Sequence, residues 1–226
     1  MPTQAAVNMK PCGSTLIKSI RVRIRIKIMI RTPIKILKWI LIKLAMTRDN
    51  AKYAILIPWV ETGSGDALLL EVRSQLVKQP GEVCFPGGRA EPGESVIDAA
   101  VRETCEELGI GPDEIEVISE LEPLTMGDGR EVYPVSARLH IRDIESLALS
   151  EDEVAEVFLL PVKWLEEHPP VHYDLSATPD EELPEKLLGY LSHYGEYRKT
   201  GKTDYYEYDG HGIWGLTARI IKKLGY

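Results

Sequence analysis

A helix with clearly marked ends, predicted from Ser95 to Leu108, limits the folds open to this chain more than any other sequence feature. Ser95 with Asp98 three residues on forms a capping box, and a turn at Pro92-Gly93 comes just before it. Gly109 stands where a helix C-terminus favours a residue at positive φ. The helix is therefore expected to have a defined length and defined faces.

The two sides of this helix differ in chemistry. Because successive helical residues are turned by about 100°, a packing side is separated from a polar side. The packing side holds Ile97, Val101, Thr104 and Leu108, and the polar side holds Ala99, Arg102, Glu103, Glu106 and Glu107. Like charges one turn apart, such as Glu103 and Glu107, cost roughly a few tenths of a kcal/mol. A compensating cation is therefore expected.

The carboxylates of this helix suit a divalent cation. Mg²⁺ takes oxygen ligands and usually retains waters and substrate phosphates, and Arg102 can hold a carboxylate by a bidentate contact. A solvated acidic face is the alternative, and it is the commoner meaning of a Glu-rich helix. The spacing beyond the helix favours the cation.

That wider spacing forms a long gapped motif. Five residues separate Gly88 from Glu94, and seven more precede the run Arg102-Glu103-Thr104-Cys105-Glu106-Glu107-Leu108-Gly109-Ile110. The pattern resembles the Nudix box, Gly-x5-Glu-x7-Arg-Glu-U-x-Glu-Glu-x-Gly-U, in which U is bulky and aliphatic. Thr104 is the one departure from the box. Because it lies on the packing side, we expect a small loss of core contacts and no effect on metal binding.

The resemblance implies both a fold and a set of site residues. The fold is α/β, a Nudix α/β/α sandwich around a mixed β-sheet. The resemblance implies that Glu103, Glu106 and Glu107 coordinate Mg²⁺ or Mn²⁺ and that the backbone carbonyl of Gly88 completes the metal site. It gives Glu94 and Arg102 the task of bracing the cluster. Glu103, Arg102 and Glu94 are thus the predicted catalytic residues.

Cleavage of a diphosphate also needs a base for the attacking water. Glu103, or a carboxylate from a later loop, is expected to take the proton. Glu153 and Glu156, in the sequence EDEVAEVF, are the weaker candidates for that later carboxylate.

The segment before the box carries a second, more specific sequence pattern. Leu69 to Ser74 reads LLEVRS and Gly81 to Gly88 reads GEVCFPGG, which resembles the coenzyme A diphosphatase branch of the Nudix superfamily. That branch cuts coenzyme A and its thioesters into adenosine 3',5'-bisphosphate and 4'-phosphopantetheine or its acylated form. Arg73, Ser74 and Lys78 are the predicted substrate-binding residues, because Arg and Lys side chains can meet phosphates that an acidic helix does not bind directly.

The match to this branch is long but not complete. It continues through the runs 126–129, 133–134, 152–154 and 213–218, and covers about residues 53–226. Lys78 stands where the branch usually has Arg, and the interval from Ser74 to Gly81 is one residue shorter than the commonest form. Three alternatives stay open: ADP-ribose, dinucleotides or nucleoside triphosphates as substrate. A Nudix-fold binding module without turnover is a further alternative, from another functional class.

A compact α/β domain is predicted over residues 49–226. Strands are expected at 54–60, 67–73, 82–85, 115–120, 131–141 and 154–160, followed by a Pro- and acid-rich stretch from 167 to 184 and a final helix from 214 to 224. Trp214 is expected in the core.

The first 48 residues have a different composition. They contain eleven Lys or Arg and no Asp or Glu, which leaves 16 basic against 35 acidic residues downstream. Apolar and basic residues alternate from Ile20 to Arg31, as in a strand with one cationic face, and Ile34 to Met46 fits a basic apolar helix that could lie on a membrane surface. A targeting peptide and a true start at Met46 are the alternatives. For the core domain no nucleic-acid partner is expected, and a homodimer stays open.

Cysteine and histidine content gives weaker guidance. Three cysteines at 12, 84 and 105 suit neither a disulfide framework nor a zinc site, so a reducing, cytoplasmic setting is expected. Cys84 and Cys105 are expected to pack rather than react, and the five histidines form no spaced ligand set.

Overall fold

The computed structural model describes residues 51–194 and 201–226. The basic arm predicted over 1–48, with its strand and helix, lies outside the described residues. From Ala51 onward the chain forms one unit.

The described residues of this unit form eleven strands and four helices. The strands are β1 Lys52–Thr62, β2 Gly65–Arg73, β3 Val83–Cys84, β4 Gly87–Arg89, β5 Ile115–Glu120, β6 Leu124–Thr125, β7 Glu131–Leu139, β8 Val154–Pro161, β9 Val171–Asp174, β10 Lys202–Tyr208 and β11 His211–Trp214. The helices are α1 Val96–Leu108, α2 Val162–Glu167, α3 Glu185–Ser192 and α4 Gly215–Lys223, and short 3₁₀ turns occur at Pro112–Glu114, Ile144–Ser146 and Asp180–Glu182.

A mixed sheet of eight strands surrounds β1. Its main path runs β3-β2-β1-β7-β5, while β4 pairs with β1, β6 with β7 and β8 with β2. The pairing of β1 with β7 is parallel, and the pairings of β1 with β2 and β4 are antiparallel. The predicted mixed sheet is therefore confirmed.

Helices cover both faces of this sheet. Strands buried on both sides read as continuous apolar runs, as β1 and β2 do. On one face Leu56 and Leu69 pack with Ala99, Ala100 and Leu108 of α1. On the other face a cluster of apolar side chains joins β1 and β2 to α2 and α4: Ile57, Leu68, Leu70, Leu165, Ile220 and Ile221. The α/β/α layering follows directly from these two clusters.

Helix α1 fully buries two of its four predicted packing residues, and its buried side also extends to residues predicted on the polar side. Ala99, placed on the polar side by periodicity, has no exposed surface, and Glu107 is only 6% exposed. Ile97 and Val101, expected to pack, are partly exposed. The small side chains of Ala99 and Ala100 allow the helix to approach the sheet closely, and this contact turns the carboxylate-bearing side toward β4.

A second, three-stranded sheet was not predicted. Its order is β11-β10-β9, and α3 packs on it through a cluster rich in tyrosine: Leu183, Leu187, Tyr190, Leu191, Tyr205 and Trp214. Trp214 is 6% exposed, so the expectation that it lies in the core is confirmed. Strand β4 was also missed, since Gly87 and Gly88 were taken for the end of the preceding strand.

Candidate active site

The ends of α1 are set by the residues that the sequence indicated. The Oγ of Ser95 accepts a hydrogen bond from the backbone nitrogen of Asp98 at 3.0 Å. Gly109 ends the helix at φ 66°, and its nitrogen donates to the carbonyl of Cys105. Thr104 is fully buried, and its hydroxyl donates to the carbonyl of Ala100 at 2.7 Å. A threonine is therefore accommodated without an unpaired hydroxyl where the Nudix box has an aliphatic residue.

Strand β4 brings a glycine pair against the acidic side of this helix. Gly87 adopts φ 141°, and a Cβ there would lie 2.3 Å from the carbonyl oxygen of Ala54 in β1. A Cβ on Gly88 would lie 2.4 Å from Oε2 of Glu103. The backbone of Gly87 therefore requires glycine, and the missing side chain of Gly88 leaves the Glu103 carboxylate room to lie against the backbone of β4.

Glu107 is anchored to the same strand. Its Oε2 accepts a hydrogen bond from the backbone nitrogen of Gly87 at 2.7 Å. Burial, together with the nearby charge of Glu71, raises the pKa of Glu107 well above its usual range. A cation at this position would favour the ionised form of both carboxylates.

Arg102 joins the other acidic groups of the motif. Its Nε donates to Oε1 of Glu94 at 2.9 Å, and its guanidinium lies 2.9 Å from Glu103 and 3.4 Å from Glu106. The hydrogen bond from Arg102 lowers the pKa of Glu94. Arg102 also donates to the carbonyl of Arg89 at 3.2 Å. One planar side chain thus braces three carboxylates.

A fifth carboxylate in this region comes from β2, and it was not among the residues predicted from the sequence. Glu71 is 1% exposed, and its Oε1 accepts a hydrogen bond from the Cys84 thiol at 3.1 Å. Burial raises the pKa of Glu71. Strand alternation carried the signal: side chains two apart share a face, so Glu71 lies on the face on which Leu69 packs against α1.

The three predicted substrate-binding residues differ in their contacts and in their exposure. The Nε of Arg73 donates to the carbonyl of Lys78 at 2.9 Å, which ties the two ends of a tight loop. Ser74 is buried, and its Oγ donates to the carbonyl of Asp152 at 2.5 Å. The Lys78 side chain is exposed. Arg73 lies close enough to the acidic cluster for the charge of Glu107 to raise the pKa of its guanidinium.

Of the two later carboxylates, Glu153 lies nearer the cluster. Burial raises the pKa of Glu103, and the charge of Glu153 adds to that rise. Glu156 instead lies 3.3 Å from Nε2 of His211, whose ring stacks on Phe158. The backbone nitrogen of Ser74 donates to the carbonyl of Glu153 at 2.9 Å. Ser74 therefore holds the turn that carries Glu153.

The donor chemistry of these residues fits a hard divalent cation. Carboxylate oxygens and the carbonyl of Gly88 are oxygen ligands, and Oε2 of Glu71 is buried with no hydrogen-bond partner among the described residues. In residues 51–194 and 201–226, no three His, Cys, Asp or Glu side chains enclose an ion by themselves. Such a set suits a cation that completes its coordination with waters and substrate phosphates.

Comparison with known proteins gives the family. The Nudix domain matches residues 51–178. The chain belongs to the Nudix hydrolase family. An uncharacterised Nudix hydrolase, NudL, of Citrobacter koseri is 33% identical over 186 residues, which cover 79% of this chain and 83% of the bacterial protein. The predictions of a Nudix hydrolase and of an α/β fold are confirmed.

Two relatives of this Nudix chain are named for a substrate. The peroxisomal coenzyme A diphosphatase NUDT7 of Mus musculus is 38% identical over 133 residues, covering 58% of this chain and 55% of the mouse protein. The human mitochondrial coenzyme A diphosphatase NUDT8 is 33% identical over 178 residues, covering 76% of this chain and 67% of the human protein. The chain thus spans about half the length of the mouse relative.

A crystal structure of an Ap4A hydrolase from C. elegans is 24% identical, with a TM-score of 0.43, and the match covers 50% of this Nudix chain and 83% of that one. Among the residues that the structure describes, no helix has the length and apolar character needed to span a membrane.

Proposed function

We propose that this Nudix chain hydrolyses a diphosphate bond with Mg²⁺ or Mn²⁺ held by Glu103, Glu106, Glu107 and the carbonyl of Gly88. One observation carries the proposal: the Glu103 carboxylate lies against Gly88 in a space that a single Cβ would fill. The hydrogen bond from the Gly87 nitrogen to Glu107 adds support, because it holds a second helix carboxylate against β4. Mutually repelling carboxylates in that arrangement are consistent with a site for a cation.

Each residue of the site has a distinct task in the proposed reaction. A bound Mg²⁺ or Mn²⁺ supplies charge neutralisation of the phosphates and lowers the pKa of the attacking water. Arg102 holds Glu94, Glu103 and Glu106 in register, and the Gly87 nitrogen orients Glu107. Glu153, or Glu103 itself, takes the proton from the water. Glu153 has the support of its position on the turn held by Ser74.

Coenzyme A or an acyl derivative is the proposed substrate. Two relatives are named as coenzyme A diphosphatases, and Arg73 brings a positively charged side chain to the edge of the acidic cluster. The adenosine 3'-phosphate and the diphosphate of coenzyme A carry the negative charge that Arg73 and the exposed Lys78 are suited to meet. The proposed products are adenosine 3',5'-bisphosphate and 4'-phosphopantetheine, or its acylated form.

The same chemistry on ADP-ribose, a dinucleotide or a nucleoside triphosphate is the alternative within the enzyme class. A panel of substrates separates these options: the full chain with Mn²⁺ is offered coenzyme A, ADP-ribose and NADH in parallel, and products are identified by mass. We expect adenosine 3',5'-bisphosphate from coenzyme A as the main product. Release of AMP from ADP-ribose or NADH, with coenzyme A left intact, would refute coenzyme A as the substrate. It would leave the proposed hydrolysis of a diphosphate bond standing.

The basic arm over residues 1–48 supports a separate proposal, contact with an anionic membrane surface. Binding to vesicles that contain anionic lipid is expected for the full chain and not for a chain lacking residues 1–45. Equal binding by both chains would refute this role. Pairing of two chains and a cytoplasmic location stay predictions.

A further inference from the structure

Glu71 occupies an unusual place for a charged residue. It lies in β2, between the neighbouring strands β3 and β8, opposite Cys84 on one side and Val157 on the other. Central positions of such a sheet are normally apolar, and Leu69 and Leu70 just before it are fully buried. A carboxylate here needs a reason, because burying a charge without full compensation is costly.

Within residues 51–194 and 201–226, only half of the Glu71 carboxylate has a hydrogen-bond partner. The side chain is 1% exposed, and Oε1 takes the hydrogen bond from the Cys84 thiol at 3.1 Å. Oε2 is buried, and no group in the described part of the chain forms a hydrogen bond with it. A buried carboxylate oxygen without a partner incurs its full desolvation cost.

The surrounding charges do not remove this cost. Arg73, two residues along the same strand, lowers the pKa of Glu71 through its charge, but it gives its hydrogen bonds to the Lys78 carbonyl and to the sulfur of Cys84. The other charged groups that act on Glu71 are carboxylates: Glu153 adds to the rise in its pKa, and Glu71 in turn acts on Glu107. The charge of Arg73 therefore offsets the burial of Glu71 only in part, and Oε2 still has no hydrogen-bond partner among the described residues.

We propose that Glu71 is a further metal ligand of this site, with its unpartnered Oε2 directed at the cation that the α1 glutamates hold. The inference rests on the proposed function, because it uses the same cation. Glu71 would then supply a ligand from β2, on the sheet opposite the helix, so that residues of both β2 and α1 hold the ion. The half-satisfied carboxylate is then explained, since a divalent cation is the partner that Oε2 lacks.

The rival explanation is that Glu71 serves only as the acceptor for the Cys84 thiol. Two substitutions separate the ideas. Glu71→Gln keeps the shape and an acceptor oxygen and removes the charge, whereas Cys84→Ala removes the thiol and keeps the carboxylate. Glu71→Met is a second variant, with a side chain of similar volume. It is expected to fold, because well-packed apolar replacements of buried charges are often tolerated.

The measurement is Mn²⁺ binding to the full, metal-free chain by titration calorimetry and by the free-Mn²⁺ electron paramagnetic resonance signal. We expect Glu71→Gln and Glu71→Met to raise the Kd for Mn²⁺ about tenfold or more, the scale seen when groups around a metal are removed. We expect Cys84→Ala to weaken binding less than Glu71→Gln does, because it removes a group that contacts the ligand and retains the carboxylate itself. The metal-free melting temperature should not fall in Glu71→Gln.

Each contrary result is informative. If either folded Glu71 variant binds Mn²⁺ as tightly as the unaltered chain while Glu106→Gln binds it weakly, Glu71 is not a ligand and the helix site stands. If Cys84→Ala weakens binding as much as Glu71→Gln, the thiol contact is what matters and the inference fails. If the unaltered chain binds no Mn²⁺, the proposed function itself fails.

Discussion

Glu107 of α1 accepts a hydrogen bond from the backbone nitrogen of Gly87 at 2.7 Å. This bond joins the helix that carries the acidic motif to the short strand that carries the glycine pair. The neighbouring contact, between Glu103 and Gly88, is made possible by the missing side chain of Gly88. The geometry of the site therefore depends on β4 as much as on the helix.

Gly88→Ala is expected to disable the site with little loss of stability. The added Cβ would lie 2.4 Å from the Glu103 carboxylate, and the end of a flexible side chain can move aside while the backbone stays. We expect metal-dependent turnover to fall at least about tenfold, equivalent to about 1.4 kcal/mol, with a melting temperature close to that of the unaltered chain. Gly63→Ala, where a Cβ meets nothing within 4 Å, is the control. Equal turnover in the two variants would contradict the proposed placement of Glu103.

Ser74→Ala tests whether the turn at 152–153 supplies the base. The substitution removes the 2.5 Å hydrogen bond from Oγ to the Asp152 carbonyl, at a cost of about 1 kcal/mol in the free energy of unfolding. Because Glu153 follows directly, we expect kcat to fall severalfold while the Kd for Mn²⁺ is unchanged. Ser64→Ala, on an exposed turn, should alter neither. An unchanged kcat in Ser74→Ala would separate the turn from catalysis.

Arg73→Ala should raise the KM for coenzyme A about tenfold or more, since a charge-assisted contact to phosphate is worth about 1.5–3 kcal/mol. Its dependence on metal concentration should change much less. Arg138→Ala removes an arginine that pairs with Asp66 at 3.1 Å and serves as the matched control. A KM equal to that of the control would make Arg73 a structural residue of the loop.

Tyr194 links the second sheet to the loop that follows Arg73. Its hydroxyl donates to Oε2 of Glu82 at 3.0 Å and receives a hydrogen bond from the Gln79 amide, while its ring packs edge-on to Trp214. Tyr194→Phe keeps the ring and loses the bridge. We expect a rise of severalfold in the KM for coenzyme A and a loss of about 1 kcal/mol of stability. The control is Tyr173→Phe in β9, whose ring packs edge-on to Tyr205 in the same sheet. If the KM is unchanged in Tyr194→Phe as well as in the control, the Tyr194 bridge does not shape the loop that follows Arg73.

The ends of α1 and the spacing of its glutamates were readable in the sequence, because capping and gapped spacing are local properties. The rotation of the helix about its axis was not. Periodicity tells which side chains share a side, but the packing of Ala99 and Ala100 on the sheet decides which side faces inward. Glu107 was consequently predicted on the open side and is buried.

The roles of Glu71 and of the second sheet could not be predicted from the sequence, for two other reasons. Alternation in β2 puts Glu71 on the face of Leu69, but only the tertiary structure shows that α1 covers that face. The strands β9 to β11 lie in or beyond a segment rich in Pro, Asp and Glu, where short polar strands give a weak alternation. Their stability comes from Tyr190, Tyr205 and Trp214 meeting across elements distant in sequence, which no local pattern reports.

The most direct test of the metal-dependent reaction is the rate of coenzyme A cleavage by the full chain after dialysis against a chelator, before and after Mn²⁺ is added back. Glu106→Gln is measured beside it, because a neutral amide is a much poorer ligand for a hard cation than a carboxylate. We predict no turnover without metal, recovery with Mn²⁺ in the unaltered chain, and no recovery in Glu106→Gln although its fold is intact. Turnover that survives the chelator, or Glu106→Gln recovering as fully as the unaltered chain, would contradict the metal site on α1.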